Sequence, residues 1–263
     1  MPILVAFLGW IGGALANLLA ESLPKRAGLH RPACHACGAP RSLWGWSALL
    51  GILVGARRCR HCGRQRPFGD VVVEIVAILG ALAVYGGGLG PSGVWVGLLV
   101  GWIFLLVVLI DVRHRLILHI VSLPAAVVIG AIGILDPARG WEKTLVGGVV
   151  GFVGVLILFL FGGLFARWVA HRRGQPLDEV AFGFGDVTLA GVIGLLVGWP
   201  GVVLALFIGV LGAGAFSLLY MLIMLARRRY TPYLPIPYGP FLILGASLVY
   251  YGGRGLFAGI GGG

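Results

Sequence analysis

Residues 94–115 read VWVGLLVGWIFLLVVLIDVRHR: an apolar run from Val94 to Ile110 that ends on Asp111 and passes at once into Arg113, His114 and Arg115. A bilayer's hydrocarbon core takes ~20 apolar residues of helix to cross, so this stretch predicts a membrane-spanning helix that ends in a carboxylate. Charge within such a segment costs on the order of 2.5–3.5 kcal/mol on insertion scales, which makes a carboxylate there a functional residue by default. Asp111 is also one of only nine acidic residues in 263. A second stands in Gly183-Phe184-Gly185-Asp186, again at the edge of an apolar run. Two carboxylates on separate segments that can meet share a proton, split their pKa values, and supply an acid and a base together. The plainer reading leaves both aspartates in headgroup water, capping the starts of helices.

Working outward, the whole chain has the same character. It is 59% hydrophobic and 11% charged, with a mean hydropathy of +1.01; soluble domains carry about 25% charged residues. Apolar runs cover roughly 3–20, 71–89, 94–111, 116–135, 144–166, 186–200, 201–226 and 238–258, the last pair but one divided at Trp199-Pro200-Gly201, where proline and glycine punctuate a helix. The expected fold is an all-α polytopic membrane protein of about eight transmembrane helices. Its expected organisation is a first span over 1–21, a small loop domain over 22–70, and a larger membrane domain of about seven spans over 71–263.

Lysine and arginine set the orientation. With eight spans, seventeen basic residues fall on one side and only Arg139, Lys143 and Arg254 on the other. The basic side is cytoplasmic by the positive-inside rule. Both termini then face out, and Asp111 and Asp186 lie at the cytoplasmic ends of their spans. The net charge of +11 is read as a topology signal and an attraction to anionic lipid, with no nucleic-acid partner expected. Ala14-Leu15-Ala16 resembles a signal-peptidase site, but no basic segment precedes the apolar run, so 3–20 reads as a retained span.

All four cysteines sit in the one large polar segment, as Cys34-His35-Ala36-Cys37 and Cys59-Arg60-His61-Cys62. In a reducing cytoplasm stable disulfides are disfavoured. Paired CxxC knuckles suit zinc, each supplying two thiolates to one tetrahedral ion, and a loop this small gains its folding energy from the metal. A structural zinc held by Cys34, Cys37, Cys59 and Cys62 is the expectation; unliganded thiols and a redox CxxC are the alternatives. His35 and His61 are not expected to be ligands, since four cysteines complete the shell.

Taken together these motifs resemble the bacterial prepilin peptidases, GxGD-type membrane aspartic proteases that also N-methylate type IV pilins and type II secretion pseudopilins. Gly13-Ala-Leu-Ala-Asn17 through Leu23-Pro24 is similar to the family's opening motif. The double CxxC loop resembles its zinc domain, and Arg66-Pro67 leading to Glu74 its arginine-to-glutamate stretch. Ile110-Asp111-Val-Arg-His-Arg-Leu-Ile117 through Ser122-Leu-Pro124 resembles the first catalytic motif, Gly183-Phe-Gly185-Asp186-Val187 the second, and Ile236-Pro-Tyr-Gly-Pro240 the proline-glycine motif of the last span. The departures are Thr188, where the family has lysine, Ser22 in place of an arginine, and Leu118-His119 in place of a proline and an acid or amide.

The resemblance implies an inner-membrane endopeptidase, with Asp111 and Asp186 catalytic, acting at the cytoplasmic face on prepilins or pseudopilins. Gly183 and Gly185 are expected to let an extended substrate approach closely; their alternative is dense helix packing. Asp178 and Glu179 are expected to meet the basic leader, or else to be ordinary exposed acids. The implied methylation needs S-adenosylmethionine. No Rossmann fingerprint is present, and Glu74 is the acid set against that cationic cofactor. Ser22 falls in the region tied to methylation. The competing classes are a proton-coupled transporter, which shows repeated halves more often than this chain does, and a non-catalytic zinc-bearing assembly scaffold.

Overall fold

Each apolar run becomes a helix in the computed structural model, which describes residues 1–25, 33–34, 36–40, 45–56, 58–87, 92–173, 183–227 and 237–253. In chain order these are α1 (Pro2–Ser22), a 3-10 turn (Leu23–Lys25), α2 (Ala48–Leu53), α3 (Phe68–Gly86), α4 (Val94–His114), α5 (His119–Leu135), α6 (Gly140–Arg173), α7 (Phe184–Val197), α8 (Gly201–Ala226) and α9 (Gly239–Gly252). α2 lies in the cysteine loop; the other eight match the eight runs. Among the described residues α1, α3, α4, α8 and the Gly140–Phe165 part of α6 are long and apolar enough to cross a membrane, whereas α5, α7 and α9 are apolar but shorter. The 14 residues of α7 give about 21 Å of helix against a core of ~30 Å. The protein is thus an all-helical membrane protein, and the expectation of about eight spans stands at five helices of spanning length and three short ones.

The division at 199–201 falls where the sequence puts it. α7 ends at Val197, Gly198 takes a φ of 70°, and α8 starts after Pro200, which has no N–H to continue the ladder. Arg139, on the turn before α6, donates to the carbonyls of Leu195 and Leu196 at the end of α7, satisfying acceptors that a helix C-terminus leaves open. α6 is longer than its apolar run. It begins at Gly140 and continues through the polar end to Arg173, because basic residues propagate a helix well.

The chain forms two compact units, Met1–His114 and Arg115–Gly263. The loop before α3 packs on α1 and α3 within the first unit. In the first unit α1 lies on α3 with Gly13 at the contact, where a Cβ would sit 2.8 Å from Glu74 Cα; small residues let membrane helices close on one another in this way. In the second unit α7 packs between α6 and α5, with Gly147 and Gly194 backbone to backbone. A buried cluster of Val155, Val187 and Ala190 is covered there by Phe152, Leu156, Phe159 and Leu206.

Candidate active site and metal centre

The two CxxC segments fold as the same turn, twice. Cys34 N–H donates to Ala39 O and Gly38 N–H to Cys34 O; Cys59 N–H donates to Arg64 O and Gly63 N–H to Cys59 O. Bridges Ala33–Pro40 and Arg58–Gln65 close the two turns. Gly38 and Gly63, each directly after the second cysteine, both have φ 70°, a region open to glycine without cost. That repeated glycine is a signal in the sequence as clear as the cysteines. The four sulfurs lie within 4.8 Å of one another, with Cys34–Cys62 and Cys37–Cys59 at 3.6 Å. Bonds of about 2.3 Å to a tetrahedral zinc place sulfurs about 3.8 Å apart, so the four fit a single ion. Ala36 and Cys37 N–H groups lower the Cys34 thiol to about 6, against desolvation. The Ala39 N–H favours the Cys37 thiolate, yet desolvation and the sulfurs of Cys62, Cys59 and Cys34 push that thiol up to about 12. Four crowded thiols cannot all ionise without a cation among them.

Glu74, on α3, holds the loop to the membrane helices. It is fully buried. Its Oε1 accepts from Ala48 N–H at 2.6 Å, and its Oε2 accepts from Ser47 Oγ at 2.6 Å and Leu49 N–H at 3.0 Å. Ser47 caps α2 through Leu50 N–H and accepts from Trp10 Nε1 of α1. The carboxylate therefore satisfies the open N–H groups at the start of α2. This corrects the expectation that Glu74 faces a sulfonium cofactor: with no exposure and both oxygens engaged, it does not fit that group. Ser22, tied to methylation by the resemblance, donates to Leu18 O of its own helix at 3.0 Å. Glu74→Ala leaves a hydroxyl and two N–H groups buried and unpaired, at about 1–3 kcal/mol for each lost partner. A fall in unfolding temperature and faster proteolysis of 34–62 are expected; an unchanged melting curve would contradict this role.

Asp111 is in the last turn of α4 and buried, with 5% exposure. Near it, on α1, α3 and α4, lies a polar layer that the sequence reading missed. Asp70 Oδ2 accepts from Arg66 Nε at 2.6 Å and Oδ1 from Arg113 Nη2 at 2.9 Å. The same Nη2 donates to Asn17 Oδ1 at 2.7 Å, while Asn17 Nδ2 donates to Asp70 O at 2.9 Å. Arg66 also donates to Gly45 O and Trp46 O in the loop. The acid that Arg66 meets is thus Asp70, which lies between it and Glu74 in the sequence. The i,i+4 spacing of Arg66 and Asp70 was the available signal.

In the second unit Asp186 is the third residue of α7. Its Oδ2 accepts from Gly183 N–H at 2.9 Å, and Gly183 O accepts from Asp186 N–H at 3.0 Å. The reciprocal pair caps the helix start, yet Asp186 is buried, with 9% exposure. It is a cap that water barely reaches. Gly185 lies against Ile117, where a Cβ would stand 2.7 Å from Ile117 Cβ and 3.0 Å from its O. Its missing side chain is therefore used by the protein's own packing. Phe184 fills the space among His119, Phe152 and Phe159, which gives His119 an aromatic contact. Thr188, where the resemblance leads one to expect lysine, donates to Gly185 O at 2.8 Å. Gly185→Ala should push Ile117 away from α7 and lower the unfolding temperature; an unchanged melting curve would show that the contact is slack.

Asp178 and Glu179 lie outside the described residues, as do His35 and Ile236. Asp111 belongs to the first unit and Asp186 to the second.

The comparisons point one way. Residues 98–218 match the model of the type IV leader peptidase family, and residues 7–86 match that of the bacterial peptidase A24 N-terminal domain. The chain is similar to the prepilin leader peptidase/N-methyltransferase of Burkholderia pseudomallei, 27% identical over 252 residues, with 92% of this chain and 74% of the relative covered. It is similar to the protein of the same name from Vibrio cholerae, 24% identical over 263 residues, covering 95% and 96%. The Bacillus subtilis protein of that name is 25% identical over 216 residues, covering 80% and 77%. No solved structure matches the chain.

Proposed function

The chain belongs to the type IV leader peptidase family, and from that premise we propose that Asp111 and Asp186 are the two carboxylates with which it cleaves prepilin leaders. Leader cleavage, followed in our reading by N-methylation of the new terminus, is the activity that the family match and the relatives' names support. The observation that carries the residue assignment is burial. Both aspartates stand at ends of apolar helices, shielded from water, at 5% and 9% exposure. A carboxylate kept in such a place by chance is costly, and the match to the type IV leader peptidase family favours a peptidase pair over a transporter's.

In the reaction, one carboxylate takes a proton from water as the water oxygen attacks the scissile carbonyl carbon. The other, protonated, gives its proton to the carbonyl oxygen. The first then passes the proton it took from water to the leaving amine as the C–N bond breaks, and a hydroxyl of the tetrahedral intermediate returns its proton to the second as the new carboxyl forms. No covalent enzyme intermediate forms, and the proton shared by two carboxylates that cannot both ionise returns for the next cycle. Gly183, exposed at the cap of α7, leaves room for an extended peptide. Asp178 and Glu179 are the acids that would meet a basic leader.

The membrane is taken to be the bacterial inner membrane, with the site at its cytoplasmic face and both termini outside, on the charge asymmetry of the loops. Pseudopilins of type II secretion belong to the same substrate class. Zinc is the metal proposed for Cys34, Cys37, Cys59 and Cys62; a closed four-sulfur shell holds the loop and offers water no position. S-adenosylmethionine would supply the methyl group, with its binding residues other than Glu74. The test is a peptide bearing a basic leader and the first turns of a pilin helix, presented to the purified protein. Cleavage just before the apolar segment supports the reading, and an intact peptide refutes it.

A further inference from the structure

We propose that Asp70 is a positioning residue for leader cleavage: it fixes the rotation of the end of α4 that carries Asp111, acting through Arg113. The proposal rests on the reading of Asp111 as one of the catalytic pair. Three polar ties run from α4 to α1. Trp102 Nε1 donates to Gly12 O at 2.9 Å, Arg113 Nη2 to Asn17 Oδ1 at 2.7 Å, and the His114 ring, through Nε2, to Ala20 O at 3.0 Å. Trp102 and Arg113 fall within about 20° of the same helix face. Asp111, two residues before Arg113, projects about 200° around the helix from it. The tether at Arg113 therefore holds α4 from the side opposite Asp111 and sets where that carboxylate aims.

Asp70 is what makes the tether rigid. It has 3% exposure and Asn17 2%, so neither can trade its partners for bulk water. One Arg113 nitrogen serves both, and Asn17 returns a bond to the Asp70 carbonyl, which closes a ring of bonds across α1, α3 and α4. The second Asp70 oxygen takes Arg66, whose guanidinium reaches the carbonyls of Gly45 and Trp46. A single carboxylate thus ties the loop before α2 to the helix bearing Asp111. Without its charge, two guanidinium groups are left beside a neutral side chain in a poorly hydrated layer, and the end of α4 is free to turn. A displacement of a reacting group by about 1 Å costs on the order of a hundredfold in rate.

The experiment uses the full chain in lipid discs with the leader peptide. Asp70→Asn keeps the size of the side chain and one acceptor. It should lower kcat by about tenfold to a hundredfold while KM and metal content stay near those of the unchanged protein; the unfolding temperature falls, since two guanidinium groups lose their buried partner. Arg113→Lys, which keeps the charge and loses the fork, should lower kcat less, and the double variant should be no worse than Asp70→Asn, since residues joined in one network are not additive. Should Asp70→Asn not reach the membrane folded, Arg113→Lys alone carries the kcat reading. Unchanged kcat in the folded variants, additive losses, or an effect confined to KM overturns the proposal. Asp111→Asn is assayed alongside: if that variant is dead while Asp70→Asn is fully active, this inference fails alone. If Asp111→Asn still cleaves, the catalytic pair fails first and this inference with it.

Discussion

Replacing either Asp111 or Asp186 with asparagine is expected to reduce leader cleavage by at least about 10³-fold, and replacing both should be no worse than replacing one. Asparagine is the informative substitution, because it preserves the local structure that alanine would remove. At Asp186 its side-chain oxygen still accepts from Gly183 N–H, so the cap on α7 survives. At Asp111 it fills the same buried volume in the last turn of α4. What asparagine cannot do is hold or release a proton, which is the whole of the task assigned to these groups. Neither variant should lose its fold, since a buried ionisable group is exchanged for a neutral one. The measurement is single-turnover cleavage of the leader peptide with unfolding temperature recorded in parallel. Substantial cleavage by either variant would remove that residue from the pair, and losses that multiply would show two independent roles.

The parts of this protein that sequence made legible are those in which one residue type at one spacing has one physical use. Apolar runs marked eight apolar helices, five of spanning length and three shorter, the two CxxC segments marked the sulfur cluster, and Pro200 with Gly201 marked the break between α7 and α8. What sequence hid was pairing across helices. Asp70 sits one turn before Glu74 on α3, and nothing in the linear text says that the first meets Arg66 and Arg113 while the second meets the start of α2. Glu74 was set against a cation because acids attract cations; its actual partners are neutral N–H groups and a hydroxyl at the start of a six-residue helix too short to read as a span. Gly185 was read for its openness to substrate, and its neighbour proved to be Ile117. Side chains that act through tertiary neighbours leave only a weak trace in their own segment.

Removing the metal is expected to dismantle the loop and to leave the chemistry of cleavage unaltered in kind. The loop between α1 and α3 has one short helix, two small bridges and no core of its own among the described residues. A structural zinc contributes on the order of 10–16 kcal/mol to such a segment, more than the bonds from Glu74 and Arg66 that anchor it. Cys59→Ser should therefore take metal from about one ion per chain to nearly none and expose 34–62 to protease. Cys34→Ser should do the same, as the four sulfurs lie within 4.8 Å of one another and would share one ion. Because four sulfurs close the coordination shell, no water can be activated there, and the pH profile of the remaining cleavage should match that of the metal-loaded protein. A lower rate at an unchanged pH profile is the expected signature, the rate falling because Arg66 loses the ordered carbonyls of Gly45 and Trp46 and with them part of its hold on Asp70. Elemental analysis that finds no metal in protein purified without chelators would refute the metal site, and a pH profile displaced by Cys59→Ser would place the ion in the chemistry itself.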